Sequence, residues 1–208
     1  MNFRKSFRGK RVIITGHTGF KGSWLTLWLK MYGAKIVGVS KDIPTNPSHF
    51  SALDLKKKIV DKRINLKNLK KLKNLFVKTK PDFVFHLAAQ AIVKKAYLKP
   101  SETWMSNLNG TLNVLESLKS LNKKCIAVII TSDKVYKNIE TKRGYKETDL
   151  LGGYDPYSAS KGAAELVIRS HVKPFFPKDG QILIAVGRAG NVIGGGDWAA
   201  ERIIPDCV

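Results

Sequence analysis

Cysteine is scarce in this sequence. Only Cys125 and Cys207 occur in 208 residues, and they form no CxxC pair. That excludes a disulfide framework and a thiolate zinc site, so no metal is expected. Cys125 opens an apolar run and reads as a small core residue. Long hydrophobic runs are missing as well: no stretch reaches the ~18 apolar residues of a membrane span. The basic N-terminus leads into a glycine-rich turn rather than the apolar region of a signal peptide. A reducing, cytoplasmic setting is the default expectation. Acidic residues are few, 16 against 37 Lys and Arg, for a net charge of +21. The excess is densest between Lys56 and Lys80, but aromatics do not interleave with it. This weighs against nucleic acid or a membrane as partner, while a positive field would favour anionic nucleotides. Internal repeats and low-complexity linkers are absent too.

What is present is an alternation. RVIIT (11–15), AKIVGVS (34–40), KIV (58–60), DFVFHLAA (82–89), CIAVIITS (125–132) and QILIAVGR (181–188) read as strands. Between them, 19–33, 64–79, about 101–121 and 155–172 carry helical spacing; in the first, Phe20, Trp24, Leu27 and Met31 share a face. Strands alternating with helices mean βαβ units and a parallel sheet, and the continuous apolar strands suit a sheet covered on both sides. The expectation is an α/β, Rossmann-like doubly wound domain over residues 1–190 with strand order 3-2-1-4-5-6. The Gly-rich, irregular residues 191–208 read as only the start of a C-terminal substrate-binding lobe, truncated here.

The first strand runs into TGHTGFKG, placing Gly16, Gly19 and Gly22 at GxxGxxG spacing. One glycine makes the tight turn, one admits the backbone to a pyrophosphate, and one lets the helix pack close to the sheet. Between strand one and helix one of an alternating chain, this points to a dinucleotide. An acid normally ends strand two to hold the adenosine ribose of NAD. Here Ser40 stands there, followed by Lys41 and Asp42, so a 2′-phosphate on Lys41 (NADP) stays open; Asp61 is the acid placed to contact adenine.

Tyr157 and Lys161, in YSASK, are four apart and share a helix face. A nearby ammonium and a nicotinamide cation would lower the phenol from ~10 toward neutrality, fitting it to take a proton from a sugar hydroxyl. In TSDKVY, an acid and a base, Asp133 and Lys134, stand together at a strand end.

TGHTGFKG, HLAAQ (86–90), SNLNGT (106–111), TSDKVY and YSASK together resemble the extended short-chain dehydrogenase/reductases, and among them the nucleotide-sugar 4,6-dehydratases. PTNPSHF (44–50), LGGYDPYSASKGAAELV (151–167) and RAGNVIGGGDW (188–198) are similar to the branch acting on CDP-glucose. The resemblance implies oxidation at C4 by bound NAD, loss of water across C5 and C6, and hydride return to C6, giving CDP-4-keto-6-deoxyglucose. It implies a hydro-lyase serving deoxysugar synthesis for surface polysaccharides. It further implies that Ser132 binds the C4 oxygen, Asp133 protonates the departing C6 hydroxyl, and Tyr157 and Lys161 act on both sugar and cofactor. Lys134 stands where most of these enzymes keep a Glu to remove the C5 proton; either Lys134 is that base or it pairs with Asp133. Asn107 matches an asparagine that holds an active-site water and kinks its helix. Gly16, Thr18, Gly19, Phe20, Gly22, Asp61, Leu87, Ala88 and Ala89 match cofactor contacts. Gln90, Arg188 and Asn191 match substrate contacts, with Arg188 on the diphosphate. A homodimer through the helices near 101–121 and 155–172 is implied by analogy. Two alternatives stand beside this reading: a sugar-nucleotide 4-epimerase, disfavoured by Asp133, and a catalytically impaired NAD-binding fragment.

Overall fold

The computed structural model describes residues 3–208. Six strands form one sheet: β1 (Arg11–Thr15), β2 (Lys35–Ser40), β3 (Val60–Arg63), β4 (Phe83–His86), β5 (Cys125–Ile130) and β6 (Ile182–Gly187). Their order is β3-β2-β1-β4-β5-β6, every pairing parallel, as the alternation implied. β1 is central, with Ile13 in register with Val37 on one side and Val84 on the other. Its consecutive apolar residues serve both faces. Ile13 joins Leu72, Phe76, Val114 and Ile168 in one core layer, while Val12 and Ile14 join Phe7, Leu29 and Ile36 in the other.

The helices are α1 (Phe3–Phe7), α2 (Phe20–Met31), α3 (His49–Ala52), α4 (Leu55–Lys58), α5 (Leu69–Thr79), α6 (Val93–Leu98), α7 (Pro100–Trp104), α8 (Gly110–Leu118), α9 (Pro156–Phe175) and α10 (Ile203–Cys207). A π-helical segment, Met105–Asn109, joins α7 to α8. Strand order reverses between β1 and β4, so the loops leaving their carboxyl ends diverge and open a crevice there.

Several expectations shift. The third strand begins at Val60, because Leu55–Lys58 closes into a helical turn first. The lysine-rich helix begins at Leu69 rather than near 64, because the Asn68 side chain caps it, accepting from the Lys71 amide at 3.0 Å. It ends at Thr79, as expected, with the capping Lys80 in a left-handed conformation just before Pro81. The apolar stripe of α2 faces outward: Trp24 is 45% and Met31 67% exposed, while Gly22, Ser23, Thr26 and Leu29 are buried. Small side chains let that helix lie close to the sheet, which the bulky stripe would prevent. Cys125 is buried, its thiol pushed up to about 12 by that burial.

Candidate active site

The glycine turn is built backbone on backbone. Gly16 has a φ of +77°, and a Cβ there would stand 2.7 Å from the Ala88 amide nitrogen. A Cβ on Gly22 would collide with the Gly16 carbonyl oxygen. Gly19 is the N-cap of α2 and offers no side-chain cap, leaving first-turn N–H groups of that helix for an outside acceptor. Leu87, Ala88 and Ala89 run alongside, and the Thr15 hydroxyl accepts from the Ala88 amide at 3.3 Å. These features fit a dinucleotide pyrophosphate. Thr18 is buried and donates to the Asp42 carbonyl at 2.7 Å; Phe20 is half-buried in the first turn of α2.

At the end of β2 the expected acid is replaced by a relay. Ser40 Oγ lies 3.1 Å from His17 Nδ1, and His17 Nε2 lies 3.0 Å from Asp61 Oδ1. Burial pulls the His17 pKa down, with Asp61 partly opposing. Asp61 also binds Arg63 at 2.7 Å, and both border an open depression of about 630 Å³ together with Asp42, Ile43 and Lys56. Lys41 is paired with Glu102 at 3.4 Å and Asp42 at 3.5 Å.

α9 brings the Tyr-Lys pair to the carboxyl end of β5. Asp155 caps the helix, its carboxylate accepting from the Tyr157 and Ser158 amides at 2.9 and 3.0 Å. Tyr157 is buried, with the Ser132 side chain near enough to act on its phenol. The expected lowering of the phenol by Lys161 is not what the structure shows. Burial pushes its pKa up; the Ser132 side chain pulls it down, and the Asp133 charge pushes it up again. Lys161 is buried, its ammonium 3.4 Å from the Ile130 carbonyl, and burial with the charge of Lys21 brings its pKa to about 8. Lys21 is half-buried, its own pKa lowered by burial and by Arg202.

Ser132 donates to Asp133 Oδ1 at 2.9 Å and accepts the Lys134 amide at 3.2 Å. Asp133 and Lys134 are both exposed. Among the described residues the Lys134 ammonium makes no ion pair, so the pairing with Asp133 is not formed. His86 is a packed, neutral residue: its ring nitrogens meet Thr15 at 2.6 Å and Thr111 at 3.1 Å, and burial holds its pKa down to about 3.

Three expected residues are engaged internally. Asn107, in the π-helical segment, accepts the Gln90 amide at 2.8 Å and donates to the Gln90 carbonyl and Ser160 at 3.1 and 2.9 Å. The Gln90 side chain binds the Ile92 backbone and Thr103, so its amide braces a loop instead of facing substrate. Arg188, expected on a diphosphate, is instead spent on Glu165 at 2.7 and 2.6 Å and on the Glu147 carbonyl at 3.2 Å, over the ring of Tyr136. Asn191 and Trp198 are exposed, and Arg202 binds Asp197 at 2.6 Å. Sequence reading passed over His17, Lys21 and Glu165. Glu165 could have been found from its place one turn beyond Lys161 on the Tyr157 face.

The sheet order, glycine turn and Tyr-Lys helix define a Rossmann-like, doubly wound α/β protein. A family model described as GDP-mannose 4,6 dehydratase matches residues 13–175, and the chain belongs to that family. It is 47% identical over 204 residues to the CDP-glucose 4,6-dehydratase of Salmonella typhimurium, covering 96% of this chain and 57% of that protein. It is 28% identical to the dTDP-D-glucose 4,6-dehydratase of Dictyostelium discoideum, covering 99% of this chain and 49% of the relative. The chain thus spans about half the length of these curated relatives. Among solved structures, an epimerase from Methanothermobacter thermautotrophicus superposes with a TM-score of 0.81 at 24% identity, over 98% of this chain and 58% of that one. A dTDP-glucose 4,6-dehydratase from Streptomyces venezuelae, solved with NAD, gives 0.78 at 20% identity, over 94% and 60%. These two likenesses establish the fold.

Proposed function

We propose that the chain carries the cofactor and proton-transfer half of an NAD-dependent CDP-glucose 4,6-dehydratase. The observation that carries this reading is the junction of Ser132–Asp133–Lys134 with Tyr157 and Lys161, in a chain 47% identical to a protein of that name. The Gly16–Gly19–Gly22 turn, Thr18, Phe20 and the Leu87–Ala89 segment would hold NAD, with Asp61 and His17 at its adenosine end. NAD, when bound, supplies a reversible hydride acceptor, so oxidation at C4 and reduction at C6 balance with no net redox change. Tyr157, beside Ser132, takes the C4 hydroxyl proton. Lys161, one turn along the same buried face of α9, is the second residue we assign to sugar and cofactor.

A ketone at C4 acidifies the C5–H bond. Lys134, which makes no ion pair among the described residues, is the base we assign to that proton, acting through its neutral amine and becoming the ammonium as the proton arrives. Asp133, also exposed, gives a proton to the C6 hydroxyl, which leaves as water. Asn107 and Gln90 serve by bracing the loop after β4 rather than by touching substrate. Asn191 is the remaining substrate contact we assign. Residues 1–190 form the cofactor domain, and the stretch after it contributes to the sugar-nucleotide side. The setting we assign is the cytoplasm, in deoxysugar supply for polysaccharides, with the protein as a homodimer.

Purified chain incubated with CDP-glucose and NAD tests this by mass spectrometry. The expected product is lighter by one water and carries a 4-keto group, with no NADH accumulating. Unconverted CDP-glucose, in a preparation that binds NAD by calorimetry, would leave a cofactor-binding module and overturn the dehydratase assignment.

A further inference from the structure

Glu165 is a buried carboxylate, 3% exposed, in the middle of α9. It accepts the Thr131 hydroxyl at 2.8 Å and a two-pronged grip from Arg188, whose Nε and second nitrogen lie at 2.7 and 2.6 Å. A buried ion pair contributes little net stability compared with an apolar pair of the same volume, so its presence here needs another account. Its location supplies one. Tyr157, Lys161 and Glu165 follow at four-residue spacing and form a buried column on one face of α9. Thr131 immediately precedes Ser132. Arg188 is flanked by the two carbonyls that hold Ser132's neighbours: the Thr131 amide donates to Gly187 at 2.9 Å and the Asp133 amide to Ala189 at 3.1 Å. Ser132, whose side chain acts on the Tyr157 phenol, is therefore bracketed by backbone bonds to either side of Arg188. One carboxylate ties that bracket to the helix carrying Tyr157. The guanidinium reaches on over the Tyr136 ring, 4.7 Å away, and to the Glu147 carbonyl, so the loop after the catalytic strand end is attached as well.

We propose that Glu165 is a positioning residue: with Arg188 and Thr131 it fixes the height of α9 against β5 and β6, so that the Tyr157 phenol meets the Ser132 hydroxyl. The proposal deepens the dehydratase reading and rests on it only for what the aligned pair does to substrate. The bidentate geometry is central. An Arg188→Lys change keeps the charge but replaces a planar fork with a single point, and a Glu165→Gln change keeps the shape but removes the charge.

The test reads the phenol directly. Chain labelled with 13Cζ-tyrosine gives a Tyr157 resonance, assigned by its loss in Tyr157→Phe, and Ser132→Ala fixes where that resonance lies without the Ser132 hydroxyl. Glu165→Gln and Arg188→Lys are expected to move the resonance most of the way to the Ser132→Ala position in folded protein. Should Glu165→Gln fail to fold, Thr131→Val, which leaves the ion pair intact, is read in its place and is expected to move the resonance in the same direction. A resonance unmoved in the folded variants, with only the melting temperature lowered, would make the cluster a plain structural pair and sink the proposal. Where the wild-type chain turns over CDP-glucose, kcat should fall about 10-fold with KM unchanged, equivalent to ~1.4 kcal/mol at the transition state. A wild type without turnover removes the dehydratase reading alone, because the resonance still decides the positioning role.

Discussion

Lys161 is an ammonium held inside the protein by one long contact, 3.4 Å to the Ile130 carbonyl, with another cation, Lys21, close enough to repel it. Its pKa falls from 10.5 to about 8. At about 1.4 kcal/mol per pH unit, such burial destabilises the fold by roughly 3 kcal/mol. The sign follows from linkage. Below pH 8 the residue is protonated in both folded and unfolded chains, and the penalty is complete. Between about 8 and 10.5 the folded chain gives up its proton first, and the penalty is relieved as pH rises. Replacing Lys161 by Met, an uncharged chain of similar length, should therefore raise stability at pH 7 by ~1–3 kcal/mol while abolishing turnover. Denaturant melts of the two proteins at pH 7 and pH 9.5 check this, with the difference between them shrinking at the higher pH. A Met variant less stable than wild type at pH 7 would show that the ammonium has compensation the contacts do not reveal. The spacing of Tyr157 and Lys161 was plain in the sequence. The uncompensated charge was not, because it depends on Lys21 arriving from a helix 140 positions earlier in the chain.

At the level of the element, the turn from β1 into α2 depends on two glycines for different reasons than the third. A Cβ on Gly22 meets the Gly16 carbonyl, which is backbone and cannot step aside, whereas one on Gly19 finds only that same oxygen at 3.4 Å, an ordinary contact. Gly22→Ala should cost ~2–4 kcal/mol in a chemical melt, and Gly19→Ala under about 1. Equal losses from the two would mean that α2 can slide away from the sheet. The sequence carried the glycine pattern and the strand order. It did not carry which face of α2 packs. Trp24 and Met31 lie on the face that the helical spacing picked out, and they are exposed, because close approach at the glycines requires the small face of Gly22, Ser23 and Thr26 inward. The π-helical segment at Met105–Asn109 was signalled only by resemblance, as a kink at Asn107, and not by spacing or propensity. Its signal is Asn107, a carboxamide that reaches out of its helix to satisfy both backbone groups of Gln90, and such a bond depends on a partner 17 residues away. The start of α5 was misread for a local reason, since Asn68 is a capping residue inside an unbroken apolar period.

Over the whole molecule the dominant electrostatic fact is a net charge of +21, and it is distributed, not paired. Lys70, Lys71 and Lys78 line the outer side of α5 without an ion pair among the described residues, and of Lys56, Lys57 and Lys58 on α4 only Lys57 has one, to Asp54 at 3.0 Å. Charges of one sign spread over a compact body repel across distances of the Debye length, about 30 Å at 0.01 M salt and about 8 Å at 0.15 M. Unfolding lets them separate. Added sodium chloride should therefore stabilise the fold, raising the melting temperature by ~2–5 °C between about 10 and 200 mM. The same field draws an anionic dinucleotide toward the crevice, so its association rate should fall over that range while its dissociation rate changes little. Scanning calorimetry and stopped-flow fluorescence, taken on the same salt series, read the two effects separately. A melting temperature that stays flat or drops with salt would mean that local pairs such as Arg188–Glu165 and Lys123–Asp82, both at 2.6 Å, outweigh the long-range repulsion. A rate indifferent to salt would mean that the lysines lie too far around the surface from the glycine turn to steer anything into it.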